Sequence, residues 1–344
     1  MRSIGENTMV GNKTLLERLY SDIKAGTLGH AYIIEGKRGS GRHTLAKIII
    51  ASLACESGGA SLPCGECKNC RNILENKCPD VFTVGRDGKA SVGIAAARDI
   101  KSTIMAVAND LEFKAYVIED ADTMTPQAQN ALLLTLEQPP TRCYFFILCE
   151  NARTMLETIR SRAPVIRTEA LSTKEIDDHI SSFKVPSEVR ESARALKQSD
   201  PNEYDTVLLA AGGSIGRAIE LLHPETREPI TLLRNFAIRF IDSARSCSAD
   251  EPLVMLLPEF AGKKDGVLDQ LDYVKNALRD LILLKKSENA PLCFFFDRED
   301  AIERSSAFAE RRLIRILDEV SKAEEALLAN ANLRLTLLEL LTRI

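Results

Sequence analysis

The sequence contains no tryptophan, and aromatic residues make up only 5% of its 344 residues. Proteins that bind single-stranded nucleic acid stack bases on aromatic rings, so this composition argues against such a platform. The net charge of −4 also argues against a protein whose whole surface binds nucleic acid. A local basic patch is compatible with this charge. These shortages favour functions other than direct base recognition.

Long apolar runs are also missing, since none reaches the roughly 18 residues that a membrane-spanning helix needs. The run "IIIASLAC" is too short and too far inside the chain to be a signal peptide. Neither a Ser–His–Asp triad nor a pair of catalytic carboxylates is evident. We therefore expect a cytoplasmic protein without a membrane partner and outside those two catalytic classes.

The length predicts two or three domains. Strand and helix patterns alternate through residue 168, which predicts a parallel sheet covered on both faces. The predicted strands are 31–35, 80–84, 114–120, 144–150 and 164–167. The predicted helices between them are 44–55, 96–110 (with Val107 on its apolar face) and 126–140.

The remainder of the chain is predicted to be helical. Ser172 and Glu175 have the spacing of a capping box, which opens a helix. Helices are predicted at about 174–183, 187–197, 204–211 and 214–222. The stretch "HPETREP" (223–229) indicates a linker, and apolar stripes at helical spacing follow it.

The stretch "GKRGSGRHT" (36–44) nearly forms a phosphate-binding loop. Gly36 and Gly41 have the spacing that lets backbone N–H groups face a phosphate. Arg42 replaces the usual lysine with a wider planar cation. His43 replaces the hydroxyl that binds Mg²⁺, and Thr44 comes one residue late. The loop is either a nucleotide site that has lost its function or a simple turn between strand and helix.

Two acids end the third predicted strand, in "YVIEDAD". Glu119 could offer an oxygen to Mg²⁺. Asp120 stands where a glutamate usually orients water, and its side chain is one methylene shorter, a displacement that matters in catalysis. Loop and acids together predict a degenerate nucleotide site in which the binding of ATP and Mg²⁺ is in doubt.

Five of the nine cysteines lie between Cys55 and Cys78. The spacing C-x8-C-x2-C-x2-C is typical of a closed tetrahedral Zn²⁺ site with a structural role. The predicted ligands are Cys55, Cys64, Cys67 and Cys70. Cys78 is an alternative fourth ligand, although Cys55 is preferred because it ends the helix that follows the loop.

The segments "GHAYIIEGKRGSGRHTLAK", "VIEDADTMTPQAQNALLLTLEQPP" and "TIRSRAPVI" resemble the clamp-loader ATPases of bacterial DNA polymerase III, members of the AAA+ superfamily. "GGSIGRAIELL" and "NANLRLTLLELL" extend the resemblance, which is strongest to the delta-prime type. The resemblance implies a P-loop AAA+ domain with a zinc-binding insertion (1–168, zinc module 55–78). It further implies a small helical lid (169–224) and an all-α collar (225–344).

The same resemblance implies roles for individual residues. Ser161-Arg162-Ala163 matches the Ser-Arg-Cys motif except at its third residue, so Arg162 is expected to serve as an arginine finger toward ATP on an adjacent subunit. Arg217 matches the nucleotide-sensing arginine of the lid, and Asn151 matches a polar sensor. The four cysteines match the family's zinc ligands.

The resemblance also implies partners, namely gamma/tau and delta subunits in a five-subunit ring, the sliding clamp and primed DNA. The favoured hypothesis is a subunit without ATPase activity that scaffolds the ring. A slow clamp-loader ATPase and a zinc-dependent nucleic-acid-binding module are the alternatives.

Overall fold

The computed structural model describes residues 9–57, 62–86, 91–245, 251–290, 292–295, 297–328 and 331–344. The chain divides into two compact units. The first extends as far as Glu175 and includes Ser214–Gly216, and the second comprises Ile176–Gly213 and Arg217–Ile344. The three-domain division with boundaries after 168 and 224 stays a prediction. No helix in the described part of the chain is long and apolar enough to cross a lipid bilayer.

A five-stranded sheet forms the centre of the first unit. Its strands are β1 (Ala31–Glu35), β2 (Val81–Val84), β3 (Lys114–Ile118), β4 (Cys143–Cys149) and β5 (Val165–Arg167). They lie in the order β2-β3-β4-β1-β5, and every neighbouring pair is parallel. The predicted parallel α/β sheet is confirmed. The carboxyl ends of β1, β3 and β4 consequently lie at the same edge of the sheet.

Helices connect and cover these strands. They are α1 (Lys13–Ala25), α2 (Arg42–Leu53), α3 (Lys68–Leu74), α4 (Ile94–Ile104), α5 (Pro126–Glu137) and α6 (Glu157–Arg160). The sequence patterns did not predict α1 or α3. Helix α4 ends at Ile104, before Val107, whose side chain is 90% exposed rather than part of the apolar face.

Alternating side chains of the strands build separate cores on the two faces of the sheet. Tyr116 and Phe145 are buried on one face, where they stack on each other with ring centroids 5.3 Å apart. Val117 and Phe146, one residue further along each strand, are buried on the other face against α2. Burial on both faces explains why these strands are almost entirely apolar.

From Thr173 onward the described chain is helical. The helices are α7 (Thr173–Ile180), α8 (Ser187–Ser199), α9 (Pro201–Ala210), α10 (Ile215–Leu222), α11 (Pro224–Arg245), α12 (Glu251–Val254), α13 (Lys264–Lys286), α14 (Arg298–Ser306), α15 (Glu310–Leu328) and α16 (Leu333–Arg343). The predicted linker at 223–229 is wrong, because Pro224 is the first residue of α11. Proline is well tolerated there, since the first N–H groups of a helix have no partner within it.

Candidate functional site

The glycine-rich loop joins β1 to the start of α2. Gly39 and Gly41 have φ angles of 74° and 89°, which favour glycine. A Cβ on Gly36 would clash with Thr168 Oγ1, so only glycine fits there. Helix α2 begins at Arg42, immediately after the loop. The loop therefore has the backbone of a phosphate cradle at a helix N-terminus.

Further contacts hold the loop in place. The hydroxyl groups of Ser40 and Thr168 lie 2.8 Å apart. Ser214 Oγ donates to the Arg38 carbonyl (2.9 Å), and the Gly216 N–H donates to the Gly39 carbonyl (3.0 Å). Ser214 and Gly216 thus contact the loop directly. The sequence analysis had singled out only Arg217 from this motif.

The side chains that follow the glycines do not form the cation site of an active loop. His43 Nδ1 lies 3.3 Å from Glu119 Oε1. Arg42 is only 12% exposed, and its Nη2 lies 3.7 Å from Glu150 Oε1. Thr44 follows in the first turn of α2. The imidazole therefore contacts the acid that would bind Mg²⁺, and Mg²⁺ prefers oxygen ligands.

The second acid is also engaged. Asp120 has a φ of 48°, and its carboxylate accepts a hydrogen bond from Arg86 Nε at 2.9 Å. Both predicted acids thus contact cationic or ionisable side chains of their own chain. This donor set does not fit a hydrolytic Mg²⁺–ATP complex.

The polar sensor predicted after β4 caps its own turn. Asn151 Oδ1 accepts a hydrogen bond from the Arg153 N–H at 3.0 Å. Asp122, which the sequence patterns did not single out, accepts from the backbone N–H groups of Glu150 (2.7 Å) and Asn151 (2.9 Å). It ties the segment after β3 to the segment after β4. The only sequence signal for it was its place in the acid-rich "EDAD".

Arg162 lies just beyond α6 and is paired within its own chain. Its Nη1 donates to the Thr158 carbonyl (2.7 Å) and to Ser161 Oγ (3.1 Å). Its Nη2 donates to Glu137 Oε1 at the end of α5. The side chain remains 32% exposed, so the guanidinium is held and is also accessible. The sequence patterns gave Glu137 no role.

Arg217 belongs to the second unit and is engaged there. Its Nη1 donates to Glu220 (3.1 Å), and its Nη2 donates to the hydroxyl of Tyr273 (2.5 Å). The guanidinium carbon lies 5.5 Å from the centre of the Tyr273 ring. These contacts stabilise Arg217 within its own unit.

The four predicted metal ligands converge between α2 and α3. The Sγ atoms of Cys55, Cys64, Cys67 and Cys70 all lie within 4.8 Å of one another. The Cys64 and Cys70 sulfurs are 3.9 Å apart, close to the ~3.8 Å that a tetrahedral site with Zn–S bonds of about 2.3 Å requires. Cys78 lies outside this cluster and packs in the core.

The surroundings of the cluster favour bound thiolates. The N–H groups of Cys67 and Cys70 donate to the sulfurs of Cys64 and Cys67, each at 3.4 Å. The nearby Ser57 hydroxyl lowers the pKa of Cys64 to about 6, whereas burial raises the pKa of Cys70. A divalent cation with four sulfur ligands fits this cluster, and no coordination position is left over for water or substrate.

The strand order, the glycine-rich loop after β1 and the acids after β3 define a module of the AAA+ type. A family model described as DNA polymerase III, delta subunit matches residues 11–172. The first half of the chain is thus similar to the clamp-loader subunits of DNA polymerase III.

Named relatives show the same similarity. The chain is 33% identical over 166 residues to subunit delta' of Bacillus subtilis, a match that covers 48% of this chain and 50% of that protein. It is 28% identical over 213 residues to subunit tau of Escherichia coli, covering 62% and 32%. It is 26% identical over 324 residues to subunit gamma/tau of Mycobacterium tuberculosis, covering 88% and 54%. The chain therefore spans about a third to a half of the length of these relatives.

Among solved structures, a DNA polymerase III gamma subunit-related protein from Thermotoga maritima is 18% identical. The alignment covers 95% of this chain and 97% of that chain at a TM-score of 0.41. The similarity to DNA polymerase III subunits rests on the sequence matches rather than on this distant structural likeness.

Proposed function

We propose that this chain is a cytoplasmic, delta-prime-like clamp-loader subunit that hydrolyses no ATP itself. It scaffolds a five-subunit ring with gamma/tau and delta subunits through its C-terminal helices. It supplies Arg162 to ATP held by a neighbouring gamma/tau subunit. The assembled ring uses that ATP to load the sliding clamp on primed DNA.

The contact between His43 and Glu119 carries this proposal. In a working site, a hydroxyl and an acid share one Mg²⁺ ion, whereas here the two positions contact each other at 3.3 Å. The backbone of the loop is nevertheless intact, since Gly36, Gly39 and Gly41 keep the geometry of a phosphate cradle. The loop backbone is intact, but the cation site lacks its hydroxyl. This combination supports a structural rather than a hydrolytic role for the AAA+ domain.

The cysteine cluster supports a structural zinc ion. Zn²⁺ held by four thiolates would cross-link the end of α2 to α3, and it would supply no reactive water. The ion would thereby fix the insertion to the helix that starts at the loop. This arrangement also argues against the alternative of a zinc-dependent nucleic-acid-binding module, because the zinc ligands are tied to the AAA+ core.

The remaining alternative is a slow ATPase of the gamma/tau type. Its support is the resemblance to tau, which covers more of this chain than the resemblance to delta' does. The two hypotheses differ in whether the isolated chain turns over ATP.

We expect the isolated chain to show no Mg²⁺-dependent ATP hydrolysis above background, because its cation site is occupied by His43 and Glu119. Mixed with the gamma/tau and delta subunits of the same organism, the chain should enter a complex of defined mass. Phosphate release and native mass spectrometry measure the two results. Robust turnover by the purified chain would establish the slow-ATPase alternative, and failure to assemble would contradict the scaffold role.

The double change Arg42→Lys and His43→Thr is expected to restore nucleotide binding. The lysine is a compact cation suited to phosphates, the threonine adds an oxygen ligand, and Glu119 is released from the imidazole. Titration calorimetry with ATP and Mg²⁺ measures the gain. Arg42→Lys combined with His43→Ala is the matched control, since it keeps the lysine and frees Glu119 without adding an oxygen. Equal binding by the control and the double variant would show that the missing hydroxyl is not the cause.

A further inference from the structure

The ion pair between Glu137 and Arg162 joins two segments that are far apart along the chain. Glu137 is the last residue of α5, and Arg162 follows α6. The two side chains are 41% and 32% exposed, respectively. An ion pair that is this accessible to water contributes little to the free energy of folding. Its contribution to overall stability is therefore too small to account for the arrangement.

The Arg162 guanidinium uses only some of its N–H groups in hydrogen bonds with the described residues. Of the five N–H groups of an arginine side chain, three donate to Glu137, the Thr158 carbonyl and Ser161 Oγ. The described residues take none of the other two N–H groups, which can donate to an oxygen of a neighbouring subunit. The guanidinium of Arg162 is therefore oriented and still has N–H groups that can donate.

The backbone beneath the pair is fixed by packing. Leu136, which precedes Glu137, is 1% exposed and shares a core with Ile159 and Ala163, both fully buried. The Leu136 carbonyl also lies 3.0 Å from His30 Nε2. Both members of the pair thus project from backbone that has little freedom to move. Side chains on such supports can hold a geometry that a loop cannot.

We propose that Glu137 is a positioning residue that orients Arg162 for the phosphate of a neighbouring subunit, an inference that rests on the proposed function. A free arginine side chain loses much rotamer entropy when it is immobilised. Contact with Glu137 contributes to that order during folding, so less side-chain entropy is lost when the phosphoryl group reacts. Cations that are already oriented stabilise developing charge without reorganisation.

The test uses the complex reconstituted with gamma/tau and delta subunits, with assembly confirmed by native mass spectrometry. The loss of DNA-stimulated ATP turnover caused by Arg162→Ala is the reference with which the other variants are compared. Glu137→Ala should cause at least about half of that loss. The loss should lie in kcat, with little change in the KM for ATP. Glu137→Gln keeps an oxygen that can accept the N–H, so it should retain most of the turnover. Combining Glu137→Ala with Arg162→Ala should cause no loss beyond that of Arg162→Ala alone.

Glu157→Ala is the matched control, because it removes an exposed carboxylate from α6 that does not contact Arg162. Its turnover should equal that of the unmodified complex. If Arg162→Ala lowers turnover while Glu137→Ala leaves it unchanged or raises it, Glu137 is no positioning residue and the proposed finger stands. A Glu137→Ala loss that persists in the Arg162→Ala background would also overturn the positioning role. No loss with Arg162→Ala would refute the finger itself, and the positioning role with it.

Discussion

Cys67→Ala is expected to release zinc and to unfold the region between α2 and β2. Three thiolates hold Zn²⁺ far less well than four, and metal binding of this kind is coupled to folding. Loss of a structural metal belongs to the changes that cost about 4 kcal/mol or more. Native mass spectrometry should find one zinc per unmodified chain and none per variant. Thermal unfolding should show a lower midpoint for the first unit.

Cys78→Ala is the matched control for the cysteine experiment. Cys78 is a buried cysteine of the same region that lies outside the cluster of four. The variant should keep one zinc, even if a small cavity lowers its unfolding midpoint. A Cys67→Ala protein that retained zinc, or a metal-free protein that unfolded like the metal-bound one, would contradict the structural role.

Arg162→Ala is expected to lower DNA-stimulated ATP turnover and clamp loading by the reconstituted complex. In GTPases, a finger cation contributes on the order of 10³–10⁵ in rate. Turnover at the affected junction should therefore nearly vanish, and the remaining rate should be that of the other junctions. Arg162→Lys should rescue little, because lysine lacks the planar fork. Phosphate release and clamp-loading assays with assembled complexes measure the loss.

Arg160→Ala controls for the loss of positive charge, since Arg160 is an exposed arginine at the end of α6. It should leave turnover near that of the unmodified complex. The zinc content and the mass of the Arg162→Ala complex should also be unchanged, because Arg162 lies outside the cysteine cluster. Equal rates in the unmodified complex and the Arg162→Ala complex would falsify the role in trans.

Local sequence signals were sufficient for most of the first unit. Apolar runs predicted all five strands, most clearly β1, β3 and β4, which are buried on both faces. The glycines predicted a loop whose φ angles do favour glycine. Residues that usually mark turns, linkers and helix ends were less reliable signals. The His223–Pro224 pair indicated a linker, although proline suits the first turn of α11. Val107 matched the apolar face by periodicity, but α4 ends before reaching it.

Contacts between distant segments required the fold. Glu137 and Arg162 carry no shared pattern, and they meet only because α5 and α6 pack on one core. His43 and Glu119 meet because β1 and β3 are parallel strands whose carboxyl ends lie at the same edge of the sheet. Neither pair could be identified from spacing along the chain.

The sequence by itself determined the chemical character of each site, because residue types fix which ligands are available. Arginine and histidine stand in place of lysine and a hydroxyl in the glycine-rich loop, and four closely spaced thiols offer sulfur ligands to a metal ion. Only the tertiary structure decided how these groups are engaged, since packing alone brings residues from separate strands and helices into contact. It paired His43 with Glu119, placed Cys55 rather than Cys78 in the cluster, and set Glu137 against Arg162.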